Sequence, residues 1–206
     1  MIVQQKLSDL SASAIVLCGG ASSRMGRDKA ALPFGGESLL DRVLRLVRTR
    51  TDDVVVAAGA AQEVPSGIEV VRDATPGLGP LPALVLAFGR VRHPRTFVVA
   101  CDTPLLQPAI IPTLLDYSAG WEACVPVIGG VQMAACAVYA TAAATRAAGA
   151  FRSGRDAGLR DLIARLRTRF VPADELREAD PDLLSFTPCN TPEEYRHALT
   201  LAGLAN

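Results

Sequence analysis

Residues 14–29 read AIVLCGGASSRMGRDK, and this stretch joins an apolar segment to a glycine-rich, basic one. The apolar residues 14–17 are typical of a buried strand. Residues 17–29 hold three glycines, two serines, two arginines and one lysine. Glycines let the backbone approach a ligand closely and offer it N–H donors, and basic side chains add positive charge beside them. The stretch therefore predicts a polyphosphate-binding loop at the end of a strand; the alternative is a glycine-rich surface turn.

Two common phosphate-binding loops do not fit this stretch. A Walker-type loop needs a glycine followed directly by Lys and then Ser or Thr. Here Arg27 follows the last glycine, and Ala30 follows Lys29. A Rossmann fingerprint begins G-x-G, whereas Gly19 and Gly20 are adjacent. The loop therefore belongs to a third kind.

Length and composition fit one α/β domain, which we expect to span residues 1–206 with a flexible N-terminal segment at 1–12. Half of the 206 residues are hydrophobic, and the formal net charge is zero. Neutrality argues against nucleic acid or an anionic membrane surface as a partner. The five cysteines contain no C-x-x-C pair, which predicts free thiols in a reducing cytoplasm. No apolar run approaches the ~18 residues of a membrane span.

The hydrophobic pattern predicts strands that alternate with helices. Strands are expected at 14–17, 54–58, 68–71, 96–100, 124–128 and 133–138. Helices are expected at 38–48, 81–91, 108–117 and 155–169, followed by a surface connection at 172–182 and a last helix that begins near Thr191. Such alternation forms βαβ units, so we predict an α/β fold, a single-domain, Rossmann-like, three-layer α/β/α structure with a mostly parallel sheet. The arginines of 155–169 either face solvent or reach an anionic substrate.

Three polar features follow predicted strands, and ligands of open parallel sheets bind beyond the carboxyl ends of the strands. They are the glycine-rich loop, Asp73 with the loop at 76–80, and Asp102 after the strand at 96–100. An aspartate at the end of a central strand needs a partner. Asp102 could cap the next helix, pair with an arginine, or bind magnesium, which takes one or two carboxylates together with phosphate oxygens.

This combination of features favours nucleotidyl transfer, in which an acceptor phosphate attacks the α-phosphorus of a nucleoside triphosphate. Positioning, a metal ion and basic side chains suffice for that chemistry, so no nucleophilic triad is needed. The two histidines, His93 and His197, are expected to lie on the surface.

At this point the sequence resembles the molybdenum cofactor guanylyltransferases. Residues 17–29 resemble that family's L-A-G-G-x-S-x-R-M-G-x-D-K signature, and residues 79–81 resemble the start of its G-P-L-A-G motif. Residues 101–104 resemble its C-D-x-P motif, and residues 190–194 resemble its closing N-T-P-E-[ED] motif. The four motifs occur in the same order over nearly the whole chain. The resemblance implies a nucleotide-diphospho-sugar transferase type of fold and the transfer of GMP from GTP to the molybdopterin cofactor.

The resemblance also implies roles for particular residues. Arg24, Lys29 and Asp102 would be catalytic, and Asp102 would bind Mg²⁺. Asn190 would lie on the acceptor side. GTP would be bound by Leu17, Cys18, Gly19, Gly20, Lys29, Asp73 and Asp102. Transient contact with proteins that deliver or use the cofactor is also implied.

The chain departs from the family pattern at three positions. Pro82 stands where the family has Ala, and Pro188 stands where it often has a second asparagine, which bears on acceptor recognition. Cys18 replaces the usual alanine. Three further activities remain open: cytidylyl transfer to the same cofactor, sugar-1-phosphate nucleotidyl transfer, and GTP binding without catalysis.

Overall fold

A computed structural model of the chain describes residues 12–19, 28–60, 62–73, 81–149, 151 and 158–205. Within these residues the strands are β1 (Ala12–Cys18), β2 (Pro33–Phe34), β3 (Glu37–Ser38), β4 (Val54–Gly59), β5 (Glu69–Asp73), β6 (Arg95–Ala100), β7 (Ala123–Ile128), β8 (Val131–Gln132), β9 (Cys136–Ala140) and β10 (Thr168–Pro172). The helices are α1 (Leu39–Arg48), α2 (Leu81–Phe88), α3 (Ile110–Tyr117), α4 (Thr141–Gly149), α5 (Leu159–Ala164) and α6 (Pro192–Leu201). None of the helices in this part of the chain is both long and apolar enough to cross a membrane.

The main sheet has the order β10-β7-β9-β6-β1-β4-β5 among the described strands, and β8 pairs with β7 beside this path. β1 is parallel to β4 and β6, β4 is parallel to β5, and β10 is parallel to β7. β9 is antiparallel to both of its neighbours. The sheet is therefore mixed but mostly parallel, which confirms the predicted α/β fold class.

The central strand β1 is buried on both faces, as an almost continuous apolar sequence predicts for a parallel sheet. Val16 and its neighbours in alternate positions pack in a core with residues of α1 and α3. Ile15 and Leu17 point to the other face and pack in a second core with α2, α4 and α5. Helices therefore cover both faces, which gives the three layers expected.

Two predicted helices begin where the sequence indicates. α1 begins where Ser38 caps it by accepting the Asp41 N–H at 3.0 Å, and its apolar stripe is buried. α6 begins at Pro192, with Thr191 as the N-cap and Glu194 completing a capping box. Pro82 lies in the first turn of α2, where a missing N–H costs little, so this departure leaves the helix intact.

The helix predicted at 155–169 is wrong over its second half. Residues 152–157 lie outside the described residues, α5 covers only Leu159–Ala164, and residues 168–172 form the edge strand β10. The sequence TRFVP is rich in β-branched and aromatic residues, and the exposed edge of β7 offers it a hydrogen-bonding partner. The connection predicted at 172–182 is not wholly superficial, because Leu176 and Asp180 are buried.

Three further differences from the prediction concern a strand, a helix and the N-terminal segment. The strand predicted at 133–138 is displaced to Cys136–Ala140, and α4 follows it without having been predicted. α4 reads TAAATRAAG, which has high helix propensity but little hydrophobic contrast between its faces. In the predicted N-terminal segment, residues 1–11 lie outside the described residues, whereas Ala12 is buried and begins β1.

Candidate active site

The ends of β1 and β6 bring two predicted motifs together. Leu17 pairs with Ala100 in the parallel register, and the Cys101 N–H donates to the Leu17 carbonyl at 2.9 Å. Asp102 therefore follows β6 at the same edge of the sheet at which β1 ends in Cys18. This is the carboxyl edge, where open α/β sheets bind their ligands.

Gly19 is required by close packing of two backbones. A Cβ at this position would lie 2.8 Å from the Gly59 nitrogen and 3.3 Å from its Cα, so any side chain would displace the end of β4. Gly19 is itself exposed, whereas the side chains of Leu17 and Cys18 are buried in the sheet. The backbone is therefore the part of this segment that a ligand can reach.

Lys29 is fixed by a short 3-10 helix, Lys29–Ala31. Asp28 caps it by accepting the Ala30 N–H at 3.0 Å, and Asp28 also accepts from the Gln62 side chain at 2.5 Å. The Lys29 side chain is 21% exposed and the Asp102 side chain 18%, with 3.6 Å between Nζ and Oδ2. The ammonium group and the carboxylate therefore form a half-buried ion pair beside the end of β1.

Asn190 completes this group from a distant part of the chain. The Lys29 ammonium donates to Asn190 Oδ1 at 2.6 Å. The backbone N–H groups of Asn190 and Thr191 donate to Glu194 Oε2 at 2.6 and 3.1 Å, so the start of α6 holds Asn190 in place. The same segment is tied to the end of β6, because the Cys189 N–H donates to the Asp102 carbonyl at 2.9 Å.

The electrostatic state of Asp102 follows from its surroundings. Burial raises the pKa of this carboxyl group above its usual range, and the nearby Lys29 ammonium opposes that effect only in part. The negative charge of Glu194 raises the pKa slightly further. A carboxylate whose charge is incompletely compensated attracts a further cation.

A cavity of about 480 Å³ opens beside Asp102 and Asn190. Its walls are largely apolar, with Met133, Phe186 and Pro188 among the lining side chains. Gln132 and Arg160 add polar groups to the lining. The cavity therefore offers a ligand with an apolar surface a place next to the ion pair, with polar groups available to orient it.

The structure brings together Lys29, Asp102 and Asn190. Leu17 and Cys18 end β1 at the same edge of the sheet, and Gly19 follows them. The backbone of Asp73 ends β5 on the same edge and pairs with Gly59, but its side chain lies outside the described part of the structure. Gly20 and Arg24 also lie outside the described residues.

Three of the arginines in the stretch 159–169 differ in what they contact. Arg160 lines the cavity. Arg165 stacks on Phe151 at 4.4 Å, and Arg169 stacks on Tyr117 at 4.3 Å. One of these arginines is therefore available to an anionic substrate, and two pack structurally.

The structure also shows what Asp102 contacts and where the two histidines lie. The partner of Asp102 is a lysine rather than an arginine, and the next helix, α3, has Ala109 at its N-cap. His197 is exposed, and His93 is half-buried before β6, at the opposite edge of the sheet. Neither histidine lines the cavity.

Sequence reasoning missed the cavity. Met133 lies between two strands and Phe186 ends a short 3-10 helix far along the chain, and apolar residues in such places resemble ordinary core residues. Pro188, which departs from the family pattern, lies in the cavity wall. Arg160 belongs to the arginines of residues 155–169, which the sequence marks as facing solvent or an anionic substrate. The sequence did not distinguish Arg160 from its neighbours in that stretch.

A glycine whose backbone lies open, a lysine and a strand-end carboxylate at the carboxyl edge of a parallel sheet define a nucleotide-handling α/β protein. Residues 14–170 match the family model described as the MobA-like NTP transferase domain. The chain belongs to this nucleotidyltransferase family, in the group that contains the molybdenum cofactor guanylyltransferases. This confirms the family predicted from the sequence motifs.

Two relatives and one solved structure illustrate the similarity. The molybdenum cofactor guanylyltransferase of Rhizobium meliloti is 32% identical over 197 residues, which cover 90% of this chain and 89% of the relative. A probable molybdenum cofactor guanylyltransferase of Pelotomaculum thermopropionicum is 28% identical over 94% of both chains. The structure of molybdopterin-guanine dinucleotide biosynthesis protein A from Archaeoglobus fulgidus superposes with a TM-score of 0.77 over 93% of this chain and 98% of that one, at 23% identity. This last likeness concerns the fold.

Proposed function

We propose that the protein transfers GMP from GTP to the terminal phosphate of the molybdopterin cofactor, releasing pyrophosphate. The observation that carries the proposal is the convergence of Lys29, Asp102 and Asn190 at the sheet edge where β1 ends. The names of the relatives favour GTP over CTP as the donor, and they favour a pterin acceptor over a sugar phosphate. We further propose that residues 1–206 form one nucleotidyltransferase domain.

GTP would bind at the carboxyl edge of the central strands. The backbone of Leu17, Cys18, Gly19 and Gly20 would contact the nucleotide, because glycines admit a ligand close to the main chain. Asp73 would contribute from the end of β5. Lys29 and Arg24 would neutralise the triphosphate and the charge that develops on the leaving pyrophosphate.

The chain's residues fit a divalent metal ion of the magnesium type. Asp102 is a half-buried carboxylate with an elevated pKa and one cation at 3.6 Å. The described residues contain no cluster of three or more side chains able to hold a metal without further ligands. Mg²⁺ characteristically uses one or two carboxylates plus substrate phosphates, and we propose that Asp102 is its protein ligand. When bound, the ion would withdraw charge from the phosphate oxygens.

The acceptor would occupy the cavity beside Asp102. Its volume of about 480 Å³ and its apolar walls suit a fused ring system. Asn190 lies between this cavity and the ammonium of Lys29, which is where an acceptor-side residue is needed. In the reaction, an oxygen of the acceptor phosphate forms a bond to the α-phosphorus of GTP as the bond from that phosphorus to the β-phosphate oxygen breaks.

The five cysteines are all free and buried, which fits a reducing compartment, and we place the reaction in the cytoplasm. Transient contacts with proteins that deliver the acceptor or take up the product belong to the same proposal.

The test is an assay of purified protein with molybdopterin and either GTP or CTP, followed by chromatography of the product. We expect the guanine dinucleotide with GTP and Mg²⁺, far less product with CTP, and none after chelation of the metal. Equal turnover of CTP would contradict the choice of donor, and turnover in the presence of excess chelator would contradict the metal. Nucleotide binding without product formation would indicate a non-catalytic binder.

A further inference from the structure

Lys29 and the proposed metal ion would compete for one carboxylate. The Lys29 ammonium lies 3.6 Å from Asp102 Oδ2, and the salt bridges of the described residues give Asp102 no other cationic partner. A metal ion bound to the same carboxyl group would stand within a few ångströms of the ammonium. At that separation, in a half-buried site, the repulsion between a divalent and a monovalent cation is strong.

Lysine is rare in this chain, so its presence at position 29 is informative. Lysine occurs only at positions 6 and 29, and the other 19 of the 21 basic residues are arginines. Arginine holds a carboxylate with a rigid, two-pronged fork, whereas lysine presents a compact charge on a flexible stem. A lysine can therefore leave one anion for another more readily than an arginine can.

In the free protein, Asn190 holds the Lys29 ammonium close to Asp102. Asn190 Oδ1 accepts from Lys29 at 2.6 Å, a much shorter contact than the ion pair with Asp102. Asn190 is itself held by Glu194 at the start of α6. The neutral amide thus orients Lys29 beside Asp102 without adding a charge that would bind it more firmly.

We propose that Lys29 is a stand-in cation for Asp102 in the free protein, and that a divalent metal ion binds Asp102 only once a triphosphate has drawn Lys29 away. The inference rests on the proposed function, in which Asp102 binds the metal and Lys29 contacts the phosphates. It predicts that metal and nucleotide bind with strong mutual dependence. It also makes Asn190 a positioning residue for Lys29.

The first test measures Mn²⁺ binding by electron paramagnetic resonance without nucleotide, so that turnover plays no part. We expect weak binding by the wild type and binding at least about tenfold tighter by Lys29→Met, because the competing charge has gone. The double variant Lys29→Met/Asp102→Asn should lose the gain. Arg196→Met removes an equal charge from an exposed pair with Glu193 on α6 and should bind Mn²⁺ as the wild type does. Equal affinities of the wild type and Lys29→Met would overturn the inference.

A second test needs no substitution. Protein carrying ¹³C at lysine Cε should give two side-chain signals, and Lys6 supplies an internal reference for Lys29. GTP without metal should shift the Lys29 signal, whereas Mg²⁺ alone should leave both signals in place. A shift of the Lys29 signal with Mg²⁺ alone, to its position in the Mg²⁺–GTP complex, would overturn the inference.

These outcomes are separate from a failure of the proposed function. If Lys29→Met gains no Mn²⁺ affinity but the wild type still makes the guanine dinucleotide, only the stand-in role is wrong. If Lys29→Met gains affinity that Asp102→Asn does not remove, the assignment of Asp102 as metal ligand is wrong as well.

Discussion

Two aspartates at opposite edges of the main sheet, the buried Asp53 and the half-buried Asp102, differ in how many hydrogen-bond and ionic partners they have. Asp53, just before β4 at the amino edge, accepts hydrogen bonds from the Ser13 hydroxyl and from the Arg92 backbone N–H and Nε, the latter two at 2.8 and 2.9 Å. Asp102, just after β6 at the carboxyl edge, has the Lys29 ammonium at 3.6 Å. Both side chains are largely withdrawn from solvent.

The pKa values of the two groups move in opposite directions. Burial acts to raise the pKa of Asp53, but the hydrogen bonds from Ser13 and Arg92 outweigh it and leave the pKa below the ordinary value of 3.8. At Asp102 burial prevails over Lys29, and the pKa rises above 3.8. At the amino edge, the Asp53 carboxylate links the segments at the starts of β1, β4 and β6. At the carboxyl edge, the charge of the Asp102 carboxylate stays less well compensated, which lowers the stability of the fold but leaves the group able to react.

Asp102→Asn tests the contrast between the two aspartates most directly. We expect kcat to fall by about 10²–10³-fold or more, because the carboxylate that would hold the metal is gone. The thermal unfolding temperature should stay unchanged or rise, since a poorly compensated buried charge is removed. Normal turnover by this variant would show that Asp102 does not bind the metal.

The next largest effect is expected from Lys29→Met. Loss of one charged donor to the triphosphate should cost about 2–4 kcal/mol of transition-state stabilisation. Lys29→Arg, which keeps the charge, serves as the matched control and should recover only part of the activity, because the guanidinium is larger and differently hydrated. Steady-state kinetics decide the role: a rise in KM at unchanged kcat would make Lys29 a uniform binder of GTP.

Asp53→Asn should show the converse of Asp102→Asn. We expect a loss of about 1–3 kcal/mol in the free energy of unfolding, because an amide cannot accept from all the donors that surround Asp53. Denaturant titration measures this loss, and kcat per folded molecule should match the wild type. If kcat falls although the Asp53→Asn variant is fully folded, the amino edge of the sheet affects the candidate active site.

The pH dependence of stability separates the two carboxyl groups further. Asp53 has a lowered pKa, so it stabilises the fold above its unfolded value of 3.8, and this contribution is lost as the pH falls through the lower folded value. Asp102 has a raised pKa, so its destabilising effect appears as the pH rises from 3.8 through the higher folded value. In unfolding scans from about pH 3 to 8, Asp53→Asn should weaken the acid-induced loss, and the advantage of Asp102→Asn should grow with pH. Parallel pH profiles for both variants and the wild type would contradict the assignment.

The smallest effect is expected from Thr191→Ala, which removes the N-cap of α6 and loosens the support of Asn190. We expect a loss of about 1 kcal/mol in stability and a fall of a few-fold in kcat. Ser38→Ala removes the N-cap of α1 at a similar cost and touches none of Lys29, Asp102 and Asn190, so its kcat should not change. Equal effects of both caps on kcat would mean that α6 has no special role in positioning Asn190.

Much of the fold and part of the site could be predicted because the signals were local. The apolar stripe of α1, the capping residues of α6 and the four sequence motifs lie within short stretches of the chain. β10 could not be predicted in the same way, because TRFVP follows an amphipathic run and becomes a strand only where the edge of β7 receives it. α4 was missed because alanines give a helix no distinct apolar face.

The sequence motifs are enough to predict that a parallel α/β sheet carries a glycine-rich loop, a lysine and a strand-end aspartate toward one edge, and to predict the family. No motif predicts that Asn190, 161 positions from Lys29, accepts its hydrogen bond, and this contact follows from the folded chain. The structure also decided that Met133, Phe186 and Pro188 line one cavity. The physical reason is that strand order and helix docking set these contacts through backbone geometry and burial across the whole fold, and no short stretch of residues encodes either.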